Sequence, residues 1–150
     1  MRQFTKIPTG VAGLDNILSG GLIPHKSYLI QGGPGTGKST FGYHFLQQGL
    51  TDGEEVLYIT FGEPKKNIIG NAAQLGIDLS DAHFLDLTPG EQIDQEANSY
   101  SVFSPSEVEL LPIMDSIVEA IEQHRPVRVF LDSITMLKSL NQDPFQRRNT

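Results

Sequence analysis

Eight consecutive residues, Gly32-Gly33-Pro34-Gly35-Thr36-Gly37-Lys38-Ser39, narrow the folds open to this chain more than any other stretch. They fit the spacing G-x-x-x-x-G-K-[ST] at every fixed position. Glycines let a backbone curl until successive N–H groups point inward at phosphate oxygens. A helix that opens directly after such a loop adds the positive end of its dipole. The loop therefore belongs between a strand and a helix, and both are legible here. Ser27–Gln31 (SYLIQ) is a short apolar run expected as a buried strand. Ser39–Leu50 carries Phe41, Phe45 and Leu46 at helical spacing. In this reading Gly32, Gly33, Pro34, Gly35, Thr36, Gly37, Lys38, Ser39 and Thr40 cradle a nucleotide. Lys38 reaches its β- and γ-phosphates, and the Ser39 hydroxyl ligates Mg²⁺.

The rest of the chain alternates strand-like and helix-like segments. Leu14, Ile17 and Leu18 have helical spacing with Asp15 and Asn16 facing away, and Gly20-Gly21 stops that short helix. Glu55–Phe61 (EVLYITF), His83–Leu87 (HFLDL) and Arg128–Leu131 read as strands. Lys65–Leu75 reads as a helix with Ile68, Ile69, Ala72 and Leu75 on one side, stopped by Gly76. Residues 88–110 read as a long polar loop. Pro112 is expected in the first turn of a helix reaching about Gln123, and a last helix is expected to start near Pro144. Strands alternating with helices imply an α/β fold with a mainly parallel sheet and right-handed crossovers.

Two carboxylates stand where this topology would bring them to the loop. Asp132 ends the strand VRVFLD, and ligands in open α/β sheets bind beyond the carboxyl ends of strands. A carboxylate there can hold the water shell of Mg²⁺ opposite Ser39; a helix N-cap is its ordinary structural alternative. Glu63 follows the second strand in ITFGEP, on the same sheet edge, where an acid can orient or deprotonate an attacking water. A solvated acid in the turn before Pro64 is the plainer reading of the same residue.

Composition removes other classes. With 150 residues the chain suits one domain with a real core. Its net charge of −7 argues against broad nucleic-acid or anionic-membrane binding. Without cysteine there is no disulfide and no thiolate chemistry. No apolar run approaches membrane-spanning length, so a cytoplasmic location is the default expectation. His25, His44, His83 and His124 show no metal-ligand spacing, and Arg147-Arg148 reads as a solvated helix face.

Taken together, TGVAGLDNILSGGLIPH, GGPGTGKST, YITFGEP and VFLDS resemble the KaiC-like branch of the RecA-type ATPases, from about Ile7 to Arg148. The loop is shared by many NTPases. The upstream Thr9-Gly10…Leu14-Asp15…Gly20-Gly21-Leu22…Pro24 pattern and TFGEP narrow the resemblance. It implies a RecA-type sheet, ATP with Mg²⁺, and hexameric rings with nucleotide between subunits and a basic residue from the neighbour. Gly32, Gly35, Gly37, Lys38 and Ser39 match the family's phosphate loop, and Asp132 matches its second nucleotide motif. The family commonly has two adjacent acids after the second strand, the first acting as base; here those positions are Gly62 and Glu63. The expectation is therefore slow hydrolysis carried by Glu63, coupled to assembly or partner binding. A DNA-dependent ATPase of the recombinase or repair type and a non-hydrolysing nucleotide-sensing scaffold are the alternatives. The resemblance also implies that residues 1–150 are the N-terminal portion of one such domain, with a further strand between those ending at Gln31 and Asp132.

Overall fold

A computed structural model describes residues 5–88 and 105–135. Its elements run in the order α1 (Ala12–Ile17), α2 (Lys38–Thr51), β1 (Val56–Thr60), α3 (Lys65–Gln74), β2 (His83–Asp86), α4 (Pro105–His124) and β3 (Arg128–Asp132). The three strands form a parallel sheet in the order β2-β1-β3. This is the α/β, RecA-like core that the sequence led us to expect.

β1 is apolar at four of five positions because it is covered on both faces. Val56 and Tyr58 join Tyr43 and Leu46 of α2, Ile68 and Ala72 of α3, and Ile77, Leu79 and Ala82 beyond it. Leu57 and Ile59 alternate to the other face, where Phe61, Ala120, Ile113, Ile117 and Leu131 meet them. The register pairs Thr60 with both Asp86 and Asp132, so all three strands end level at one edge.

α2 lies along β3 in the opposite direction, and three contacts fix it there. At one end the Ser39 hydroxyl donates to Asp132 Oδ2 at 2.7 Å. In the middle, a Cβ at Gly42 would fall 2.2 Å from the Phe130 ring. At the other end, a Cβ at Gly49 would fall 2.8 Å from Arg128 Cδ. Glycine is thus required by close approach rather than by a turn. Gly42→Ala should lower stability by about 1–3 kcal/mol through overpacking, even though alanine is the better helix former by about 1 kcal/mol. A thermal melt checks this, and an unchanged or higher Tm would show that Phe130 can yield.

Arg128 is the largest fully buried side chain. Its guanidinium donates from Nε to Glu54 Oε2 (2.8 Å), and from Nη1 to the carbonyls of Pro8 (2.6 Å) and Phe45 (3.0 Å). It also lies 4.9 Å from the centroid of the Phe45 ring. One side chain thus joins the N-terminal segment, α2, the turn before β1, and β3.

Several expectations change. Ser27–Gln31 forms no ladder with any described strand, and Tyr28 and Leu29 are exposed. Both edges of β1 are taken by β2 and β3, and an apolar run alone does not choose a partner. α4 begins at Pro105, not at Pro112, which lies inside the helix. Both prolines suit a first turn, and local sequence does not rank them. Residues 105–110 of the expected loop are therefore helical, while residues 89–104 and the helix expected near Pro144, with Arg147-Arg148, lie outside the described residues. α1 buries none of its residues. The Asp15 carboxylate turns back on the preceding segment and accepts from Thr9 N (2.8 Å), Thr9 Oγ1 (2.7 Å) and Gly10 N (3.3 Å). Burial alone would raise that carboxyl, but these bonds and the Arg128 charge outweigh it and hold it below its ordinary value. Among the described residues no helix is long and apolar enough to cross a membrane.

Candidate functional site

The site lies at the edge where the three strands end. The loop that reaches it is shaped by its own residues. Gly35 and Gly37 take left-handed backbone angles, φ +74° and +92°. Thr36 Oγ1 donates to the Gly33 carbonyl at 2.8 Å and closes the curl. Gly37 is the N-cap of α2 and offers no side chain to its first N–H groups. Those donors are open to an anion, with the positive end of a 14-residue helix behind them. Lys38 Nζ donates to the Gly32 (2.9 Å) and Gly33 (2.7 Å) carbonyls. Among the described residues it pairs with no carboxylate. Its charge therefore sits over the loop without a counter-ion among the described residues.

Asp132 comes from the end of β3, 93 residues after Ser39, and its Oδ2 accepts from the Ser39 hydroxyl. The same oxygen accepts from the Tyr58 hydroxyl at 2.9 Å. Phe130 and Asp132 share one face of β3, and Tyr58 lies directly opposite Phe130 on β1. The Tyr58 side chain thus needs to lean only along the strand to reach Asp132. Burial first, then the Asp132 charge and its hydrogen bond, push the Tyr58 phenol far above its ordinary value. Tyr43 shifts the same way, through burial and then the charges of Glu63 and Asp132. Glu63 follows the end of β1 and Asp132 ends the adjacent β3, so both lie on the sheet edge where the strands stop.

Glu63 follows a bend over Phe61–Glu63. Thr60 Oγ1 closes that bend, donating to the Glu63 carbonyl at 2.8 Å and accepting from the Glu63 N–H at 3.3 Å. Gly62 has no left-handed φ, and the bond from Thr60 holds the turn. Asn71 of α3 donates from Nδ2 to Glu63 Oε1 at 2.7 Å and fixes the carboxylate. A Cβ at Gly62 would meet nothing within 4 Å, so the position has room for a side chain.

The oxygen set of Ser39 and Asp132 suits Mg²⁺, a hard cation that takes hydroxyl, carboxylate and phosphate oxygens. Uncapped N–H donors and an unpaired ammonium beside that pair suit a nucleotide triphosphate. Sequence reasoning missed Tyr58, Asn71 and Thr60. Their residue types carry no motif, and the contacts appear only when β1, α3 and β3 are assembled. Among the described residues no group of three or more His, Asp or Glu side chains could hold a metal by itself.

The sequence profile of the family described as "ATPase: KaiC" matches residues 7–150. The chain is 34% identical over 140 residues to the circadian clock oscillator protein KaiC of Prochlorococcus marinus (strain MIT 9313), covering 89% of this chain and 26% of that protein. It is 34% identical over 139 residues to a UPF0273 protein of Aeropyrum pernix, covering 88% of this chain and 55% of that one. A UPF0273 protein of Pyrococcus furiosus is 32% identical over 139 residues, with 88% and 56% covered. The chain thus spans about a quarter of the first relative and about half of the other two.

Proposed function

Because this chain belongs to the KaiC ATPase family, we propose that it binds ATP with Mg²⁺ on the loop Gly32–Thr40 and hydrolyses it slowly, in step with ring assembly or partner binding. The observation that carries the proposal is the 2.7 Å contact between Ser39 and Asp132, which joins the loop to the end of β3 beside an uncapped helix terminus. Loop and α2 N–H groups bind phosphate oxygens, and Lys38 leaves the Gly32 and Gly33 carbonyls to meet the terminal phosphates. Ser39 and Asp132 would hold the cation, the first as a direct ligand and the second through its water shell. When bound, Mg²⁺ screens phosphate charge and favours attack at the terminal phosphorus.

Glu63 is the acid left to orient the attacking water, held by Asn71 and by the Thr60 bend. A positioned base contributes about 10²–10⁴-fold in rate. Glu63→Gln should therefore cut turnover at saturating Mg²⁺ by at least about tenfold while ATP affinity stays nearly unchanged. Gly62→Glu has room for its side chain and should raise turnover, since the family's first acid stands at this position. Steady-state phosphate release by the ring-competent protein checks both. If wild type already matches Gly62→Glu and Glu63→Gln changes nothing, the base lies elsewhere.

A further inference from the structure

We propose that Tyr58 is a positioning residue for the Asp132 carboxylate and so sets how strongly Mg²⁺ tightens nucleotide binding. This rests on reading Ser39 and Asp132 as the metal side of the site. Asp132 Oδ2 accepts two hydroxyl donors, Ser39 at 2.7 Å and Tyr58 at 2.9 Å. They differ in role. Ser39 would also offer a hydroxyl lone pair to the cation while donating to Asp132. Tyr58 would serve the carboxylate alone.

The Tyr58 ring is built to hold that donor still. It is fully buried. It stacks on Phe84 of β2 with centroids 5.4 Å apart, meets Phe130 of β3 edge-on at 5.4 Å, and lies 6.2 Å from Tyr43 of α2. Neighbours from three elements thus fix the ring, and the ring fixes the oxygen. A phenol is neutral near pH 7 and donates one hydrogen bond without bringing charge to the site. The carboxylate is therefore oriented by a buried donor on the strand between β2 and β3. Phenylalanine would fill the same ring volume and lack only the donor.

Donors that orient a metal-side ligand typically account for about 10–100-fold in metal affinity. The experiment is a titration of MgCl₂ against the protein with a fluorescent ATP analogue, in wild type, Tyr58→Phe and Tyr43→Phe, with parallel binding in EDTA. Tyr58→Phe should raise the Mg²⁺ concentration at half-saturation by about tenfold or more and leave affinity in EDTA unchanged. Tyr43→Phe, with its hydroxyl not on Asp132, should behave as wild type. In an Asp132→Asn background the Tyr58→Phe effect should disappear. Half-saturation within twofold of wild type would overturn the proposal, as would equal weakening with and without Mg²⁺, or loss of folding in Tyr58→Phe. Wild type that binds the analogue and responds to Mg²⁺ while Tyr58→Phe does the same removes only the role of Tyr58. Wild type that binds no analogue at all removes the nucleotide-site reading with it.

Discussion

Replacing Lys38 with alanine is expected to weaken Mg-ATP binding by about 100-fold or more. The reason is the state of that side chain in the structure. Its ammonium has three donors, and two of them rest on the Gly32 and Gly33 carbonyls. These are neutral acceptors, and exchanging them for phosphate oxygens pairs the ammonium with opposite charge at both bonds. Bonds to charged groups contribute about 1.5–3 kcal/mol each, and 1.4 kcal/mol is tenfold in affinity. Two such bonds give the expected loss. Calorimetry on wild type and Lys38→Ala measures it, and equal affinities would remove Lys38 from the site. The loop itself should persist in the variant, because Thr36 closes it independently.

The second large effect concerns stability. Arg128→Met should lower it by about 3–5 kcal/mol, the range for removing one partner of a buried ion pair. Methionine approximates the buried stem. It leaves Glu54 without the Nε donor and the Pro8 and Phe45 carbonyls without Nη1. For a chain of this length 1 kcal/mol is about 2–4 °C in Tm, so the melt should fall by roughly 6–20 °C. Lysine should not rescue it, since a single ammonium cannot reach a carboxylate and two carbonyls on separate elements. A melting temperature within about 2 °C of wild type would show that the cluster only decorates the fold.

Arg128 also marks where reading the sequence runs out. The loop from Gly32 to Ser39, the strand ending in Asp132, and β1 were legible because each depends on residues close together in the chain. Spacing fixes the loop, and β-branched or aromatic runs fix the strands. The meeting of Ser39 with Asp132 was legible too, because parallel strands joined by crossovers bring their carboxyl ends to one edge. Arg128 was not. A charged residue opening a strand reads as solvent-facing, and its partners come from three distant segments. The partners of Asp15 were hidden for a related reason: helical spacing assigns its face, but the Thr9 and Gly10 donors decide where its carboxylate goes. Tyr58 reads as one more β-favouring residue until β3 is laid beside it. Pairing partners are likewise invisible in an isolated apolar run, which is why Ser27–Gln31 was read as a strand and forms no ladder here.

The three contacts between α2 and β3 make the strand a ruler. Asp132 meets Ser39 at one end and Arg128 approaches Gly49 at the other. Four strand steps span about 13 Å at 3.3 Å per residue, and the ten helical steps from Ser39 to Gly49 span about 15 Å at 1.5 Å each. The two lengths agree to within about 2 Å. One residue inserted between Arg128 and Asp132 would turn one of them to the α4 side of the sheet, because strand side chains alternate. Two would restore the face but push the carboxylate about 6.6 Å past the loop. In descent, this segment should therefore accept substitutions such as Val129 for another β-branched residue, yet resist any change of length. Homologues that gain or lose residues should do so elsewhere.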